Sequence, residues 1–248
     1  TEIANAQIYL VRDEKESNRA KFLLTNQDGT LFLTSSYYDE IYDNERWVLA
    51  TRVKPVGYPI IGSMLTGSNP TYEISFYGVN HEFGEVKNEF TVSASLDYTS
   101  GSSYMSEPKR IYVGAHRTNF TGSALTNTDV QIGSCRFWMD YLSNTALKAH
   151  SKDITNLGVD NSTRNGTIFT QDLTKIPIPR SDMLVLDWDF DLVTSSSSGG
   201  VFSVADVSSG SSDTIYGWID NIIRREHEGT SIGYGISTTT FMDKELVY

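Results

Sequence analysis

Short runs of β-forming residues, each followed by a turn signal, recur along almost the whole chain. Runs of this length separated by Gly, Pro, Asn, Asp and Ser predict strands joined by turns. The 19 Gly, the 14 Tyr and a charged fraction of only 21% are typical of such a protein rather than of a helical bundle. The predicted strands are 7–11, 21–25, 30–34, 37–42, 46–54, 72–79, 90–96, 110–113, 130–139, 183–192 and 200–204.

Turn and capping residues predict how some of these strands are connected. Asn26–Gly29 predicts a four-residue hairpin loop, with a glycine available for positive φ. Small residues over 100–106 predict a loop. Residues 142–153 predict a short helix whose N-cap is Ser143. Apolar residues on one face predict a second helix over 215–227.

The charge balance excludes several classes of partner. The chain has 20 basic and 31 acidic residues, a formal net charge of −11. Nucleic-acid affinity depends on clustered Lys and Arg, so we expect no nucleic-acid partner. An acidic surface is also repelled by anionic lipid, which argues against docking on such a membrane. The longest apolar runs have the length of strands, so we expect no membrane insertion.

The cysteine content and the first residue limit the chemistry further. Cys135 is the only cysteine, which excludes an internal disulfide and a CxxC motif. The chain begins at Thr1 without a signal-peptide pattern. We interpret it as a processed product or as a piece of a longer polypeptide.

Four segments, taken in order, carry a resemblance to a known family. They are 46–54 (RWVLATRVK), 110–114 (RIYVG), 129–138 (DVQIGSCRFW) and 142–143 (LS). This order resembles the second half of a laminin-G-like, or concanavalin-type, jelly roll. Residues 184–191 (LVLDWDFD) and 204–210 (VADVSSG) are similar to the opening of another such domain. The opening strand of the first domain is not evident near Thr1.

The resemblance implies an all-β fold, an antiparallel β-sandwich of the jelly-roll type with one or two short helices. It implies a laminin-G-like sandwich over 1–176. Residues 177–248 would form a linker with Pro177 and Pro179, then strands and a helix that begin a second unit or complete the first.

The same resemblance implies a function and a location. Such domains occur in extracellular adhesion proteins, bacterial surface proteins and virus structural proteins. The Ser-, Thr-, Gly- and Tyr-rich, Cys-poor composition is most similar to virion proteins of tailed phages and marine viruses. We therefore expect a non-enzymatic structural or adhesion module, extracellular or on a virion surface. Its partners would be cell-surface glycans, neighbouring copies or other virion subunits.

An enzyme on the same fold is the alternative, a glycoside hydrolase or a lyase. Those hydrolases carry a Glu-x-Asp-x-x-Glu strand that places carboxyl groups on one face. Glu40–Glu45 departs from it, with Tyr42 where Asp is expected and a turn at Asp43-Asn44 that would place the two glutamates on opposite arms of a hairpin. The alternating carboxylates of 187–191 predict a solvated face opposite Trp and Phe.

Two sets of loop residues are candidates for binding. Tyrosine rings can stack on sugars or contact neighbouring subunits, and five lie in or near predicted loops: Tyr37, Tyr38, Tyr58, Tyr98 and Tyr104. The resemblance also implies calcium, which prefers oxygen ligands. The candidate ligands are Asp39, Asp43, Asn44 and Asp129, with Asp160 and Asn161 as further loop residues. The alternative is that these Asp and Asn residues form turns.

Overall fold

The computed structural model describes residues 4–58, 70–107, 111–116, 126–127, 130–158, 183–196, 202–206 and 208. The chain divides into two compact units, Thr1–Thr128 and Asp129–Tyr248. The strand pairings of the described residues are antiparallel, and two short helices accompany them. The prediction of an all-β chain with antiparallel sheets and short helices is confirmed.

The first sheet of the first unit contains β1 (Gln7–Arg12), β2 (Ala20–Thr25) and β3 (Phe32–Thr34), in that order. Buried and half-buried residues alternate along β2, as in a strand with one face in a core. The predicted four-residue loop Asn26–Gly29 lies within the six residues, 26–31, that join β2 to β3. Gly29 has a φ of 75°, and the Asn26 side chain accepts a hydrogen bond from the Leu31 backbone N–H, so the predicted hairpin is confirmed.

The second sheet contains β4 (Trp47–Pro55), β5 (Tyr72–Glu82) and β6 (Glu85–Leu96), with β5 in the middle. β5 and β6 are longer than their predicted strands. Only Phe83 and Gly84 separate them, so they form a tight hairpin.

Both sheets contribute side chains to one hydrophobic core. Phe22 of β2, Phe76 of β5 and Phe90 of β6 belong to the same buried cluster. The Phe22 and Phe90 rings stack with centroids 5.8 Å apart, and Phe76 meets Phe90 edge-on at 5.2 Å. Each fully buried side chain of this size contributes about 1.5–3 kcal/mol through burial. This core fixes the strands whose ends carry the surface residues described below.

Residues 98–106 form the helix α1 (Tyr98–Ser106), so the prediction of a loop over 100–106 is wrong. The Asp97 carboxylate accepts a hydrogen bond from the Ser100 backbone N–H and caps the helix. Tyr104 is buried, and its hydroxyl donates to the Asn5 carbonyl oxygen. The cap and this anchor outweigh the low helix propensity of the Ser- and Gly-rich segment.

Two other segments predicted as strands have a different structure. Within 37–42, Tyr38 forms an isolated bridge with Ala20, and Glu40 turns the chain with a φ of 66°. Residues 111–113 lie outside any strand. Two short strands follow, β7 (Ala115–His116) and β8 (Thr126–Asn127), which pair with each other.

The second unit contains β9 (Ser134–Trp138), α2 (Asn144–Lys152), β10 (Leu184–Ser196) and β11 (Phe202–Asp206). The sheet order is β11-β10-β9. The Ser143 hydroxyl accepts a hydrogen bond from the Ala146 backbone N–H, which confirms it as the N-cap of α2.

β9 and β10 pair across the predicted division between 176 and 177. The residues at that division lie outside the described part of the chain, as does the predicted helix over 215–227, so both stay predictions. Within the described part, neither helix has the length and apolar character needed to cross a membrane.

Candidate functional site

The five candidate tyrosines lie in different environments. Tyr38 packs against Trp47 in the core with ring centroids 4.9 Å apart, and Tyr104 is buried at α1. Tyr58 is half-buried at the end of a described segment. Tyr98 is 41% exposed at the start of α1, beside Tyr72. Tyr37 is half-buried and lies within a group of charged side chains.

We call that group the Arg19 surface and define it as Asp13, Arg19, Lys21, Tyr37 and Asp39. The Arg19 guanidinium pairs with the Asp13 carboxylate at 2.6 Å and with the Asp39 carboxylate at 3.2 Å. Its central carbon lies 4.8 Å from the centroid of the Tyr37 ring, and the Lys21 ammonium lies 4.9 Å from the same centroid. Two cations therefore lie over one aromatic ring, and one of them, Arg19, is paired with two carboxylates.

The backbone explains why these side chains meet. Ala20 and Tyr38 exchange two backbone hydrogen bonds, of 3.0 and 2.8 Å, which fix the segment after β3 beside the start of β2. Side chains alternate along an extended segment. Because Tyr38 points into the core, Tyr37 and Asp39 point the other way, toward Arg19. Asp39 is 82% exposed, so the group lies at the protein surface.

The electrostatics favour a fixed arrangement of donors and acceptors. The hydrogen bond from Arg19 to Asp13 raises the pKa of the guanidinium above its ordinary value. Two cations and two carboxylates make the group neutral as a whole. Such a surface offers paired hydrogen-bond donors and acceptors next to an aromatic ring, without a strong net field.

Two of the predicted calcium ligands, Asp39 and Asp43, have donors as neighbours. Asp39 pairs with Arg19, and the Asp43 carboxylate accepts a hydrogen bond of 2.7 Å from the Asn18 amide. Asn44 has a φ of 66° and forms a turn. Within the described residues, no three His, Cys, Asp or Glu side chains come close enough to hold a metal. A calcium role for Asp39, Asp43 and Asn44 stays a prediction.

The other candidate ligands, Asp129, Asp160 and Asn161, lie outside the described residues. A calcium site that includes them stays a prediction.

The two glutamates of the hydrolase-like segment converge on one cation. Glu40 and Glu45 both accept hydrogen bonds from the Lys87 ammonium. They do not lie on opposite arms of a hairpin as predicted, because β4 pairs with β5 and not with the segment before the turn. Glu45 also accepts hydrogen bonds from the Trp47 indole and the Asn80 amide. The Glu45 carboxylate is therefore bound by side chains of β4, β5 and β6. The alternative of a glycoside hydrolase or a lyase stays a prediction.

The second unit contains a buried polar cluster that the sequence prediction missed. The Arg136 side chain donates to the Asp187 carboxylate at 2.8 Å, to His150 Nδ1 at 3.1 Å and to the carbonyl oxygens of Ile154 and Asn156. Arginine can only donate, so His150 Nδ1 is the acceptor and is unprotonated. Burial, with the nearby guanidinium, lowers the pKa of His150 to about 4.

Asp187 corrects the prediction of a solvated acidic face over 187–191. Its side chain is only 6% exposed, and burial raises the pKa of its carboxyl above the ordinary value. The reason is the register of β9 and β10, which places Arg136 directly opposite Asp187. The cluster links β9, α2 and β10 through buried hydrogen bonds and an ion pair, so we assign it a structural role.

Comparison with known proteins returns no relative for this chain. No family model, no curated protein and no solved structure matches it. The likeness to laminin-G-like domains therefore stays a prediction from the sequence.

Proposed function

We propose that this chain is a non-enzymatic adhesion module of a larger surface or virion protein, and that the Arg19 surface binds carbohydrate. The proposed architecture is an antiparallel β-sandwich of the laminin-G-like type. It is supported by the first unit, where two three-stranded antiparallel sheets share one hydrophobic core. Rigid sheets of this kind display their loops to partners.

The observation that carries the proposal is the placement of the Tyr37 ring beside the Arg19 ion pairs. A sugar presents hydroxyl groups that both donate and accept hydrogen bonds, and an apolar face of C–H groups. Arg19 and Lys21 supply donors, and Asp13 and Asp39 supply acceptors. The part of the Tyr37 ring that the two cations leave uncovered would supply an apolar surface for the C–H groups.

The neutrality of the Arg19 surface indicates which sugars it would bind. Arg19 already has two carboxylate partners, so an acidic sugar would have to displace one of them. A neutral glycan can add hydrogen bonds around the existing pairs. The proposed ligand is therefore a neutral glycan, bound without a metal at this surface.

A glycan array tests the proposal, with calcium present and again with a chelator. We expect binding to neutral glycans under both conditions, because the Arg19 surface binds through its own side chains and needs no metal ion. Binding that disappears with the chelator would assign recognition to a calcium site elsewhere. An array without binding in either condition would refute carbohydrate recognition.

A further inference from the structure

The hairpin between β5 and β6 carries an unusual residue at its tip. Only Phe83 and Gly84 connect the two strands, with φ values of 51° and 86°. Two-residue hairpin turns with positive φ at both positions favour Asn or Asp followed by Gly. A bulky aromatic residue at positive φ is a conformational outlier that the fold must hold in place.

Phe83 is 99% exposed, so its ring makes no packing contact that would offset the strain of its backbone. Val86, three residues further along the hairpin, is 40% exposed and adds a second apolar side chain near the tip. A strained backbone and a solvated aromatic ring are both unfavourable for the chain alone. A ring that becomes buried in a complex accounts for both, because aromatic residues dominate interface energetics.

The charges around the tip specify the partner. Glu82 and Glu85 flank the turn directly. Lys87 binds Glu82 and also Glu40 and Glu45, so its charge is already balanced. The hairpin therefore presents an apolar tip with an acidic rim. Complementarity requires a partner with an apolar pocket bordered by Lys or Arg.

Two other occupants fit the charges less well. A second copy would bring the same acidic rim and a net charge of −11 against this one. An anionic lipid surface would repel the rim as well.

We propose that the Phe83 tip docks into an apolar pocket, bordered by basic side chains, on a different protein. This inference goes beyond carbohydrate binding, because it uses a separate surface and a partner of another class.

The first test needs no partner and uses Phe83→Asn in the full chain. Asparagine suits the positive φ, so we expect the equilibrium constant for unfolding to fall by severalfold and the urea midpoint to rise. A lower midpoint would show that the ring stabilises the fold, which would overturn the proposal.

The second test uses a photo-crosslinking amino acid, p-benzoylphenylalanine, at position 83. Met105, which is 52% exposed on α1, is the matched control position. The chain is irradiated with an extract of its source. We expect one protein to be linked from position 83 and not from position 105, at apolar residues with Lys or Arg beside them. A link to a second copy or to lipid, no link, or the same link from position 105 would overturn the proposal.

The crosslinked protein is then purified and titrated with the unmodified chain. We expect Phe83→Asn to weaken binding by more than about thirtyfold, as for an aromatic hot spot of about 2 kcal/mol. Glu85→Gln should weaken binding less and reduce its salt dependence. Unchanged affinity of Phe83→Asn would refute the docking role. Glycan binding should be unaffected by either substitution, so failure of this proposal is distinguishable from failure of the carbohydrate proposal.

Discussion

Replacing Arg136 by Met should destabilise the second unit strongly. The methionine keeps much of the aliphatic bulk and removes the guanidinium that contacts β10 and the segment after α2. It leaves the buried Asp187 carboxylate without its cation, and the carbonyl oxygens of Ile154 and Asn156 without this donor.

The magnitude follows from the burial of the pair. Removing one partner of a buried ion pair costs about 3–5 kcal/mol, because the other charge stays desolvated. Removing both charges in Arg136→Met/Asp187→Leu should cost far less, about 1–3 kcal/mol, which reflects mainly the lost donors to the two carbonyls. The double variant should therefore be about 2 kcal/mol more stable than Arg136→Met.

The loss should also depend on pH. Burial raises the pKa of Asp187 in the folded protein, and loss of Arg136 removes the interaction that opposes this rise. The cost of burying the charged carboxylate disappears as the pH falls through the folded-state value, since the neutral form is then buried. The deficit of Arg136→Met should therefore shrink on acidification.

Urea unfolding, combined with hydrogen exchange of the β9 and β10 amides, measures this effect in the second unit. Lys152→Met is the control, because it removes an exposed cation from the same unit. A loss below about 1 kcal/mol for Arg136→Met, or a double variant as unstable as the single one, would refute the reasoning.

Three further effects follow from buried groups. His150 has its pKa lowered from 6.5 to about 4, so stability should fall by about 3 kcal/mol as the pH drops through that interval, and His150→Gln should flatten this pH profile in urea titrations. Gly78→Ala would place a methyl group 2.2 Å from a Phe90 ring carbon, which should cost about 1–3 kcal/mol and lower the thermal midpoint. Burial raises the pKa of Cys135 from 9.0 to about 11, which lowers its thiolate fraction about a hundredfold near neutral pH. The more basic thiolate is more nucleophilic, so iodoacetamide should alkylate the folded chain about tenfold more slowly than the unfolded chain.

Local patterns in the sequence are sufficient to predict most strands of the described residues. The alternation around β2 and the turn at Asn26–Gly29 predict a hairpin because both depend only on neighbouring residues. α1 was missed since its stability depends on the contact of Tyr104 with Asn5, far away in sequence. The turn after Tyr38 was missed for the same reason, because a bridge to Ala20 sets that segment.

The grouping of residues in the candidate site could be predicted only in part from the sequence. Tyr37 and Asp39 were both named from the sequence, but for separate roles, in sugar binding and in calcium binding. The structure joins them through Arg19, which no local spacing relates to them. Asp187 was assigned to a solvated face because alternation alone does not show which residue lies opposite on the next strand. The tip of the β5–β6 hairpin has a local signal in the sequence, Phe83-Gly84 between two β-forming runs.

The most direct test of carbohydrate binding by the Arg19 surface is a calorimetric titration with the glycan that the array ranks first. Wild type, Tyr37→Ala and Tyr112→Ala are compared, the last as a control because Tyr112 is an exposed tyrosine outside this surface. We expect Tyr37→Ala to weaken binding by about tenfold or more, which corresponds to about 1.4 kcal/mol, and Tyr112→Ala to bind like wild type. Equal affinities of wild type and Tyr37→Ala would contradict the proposed site.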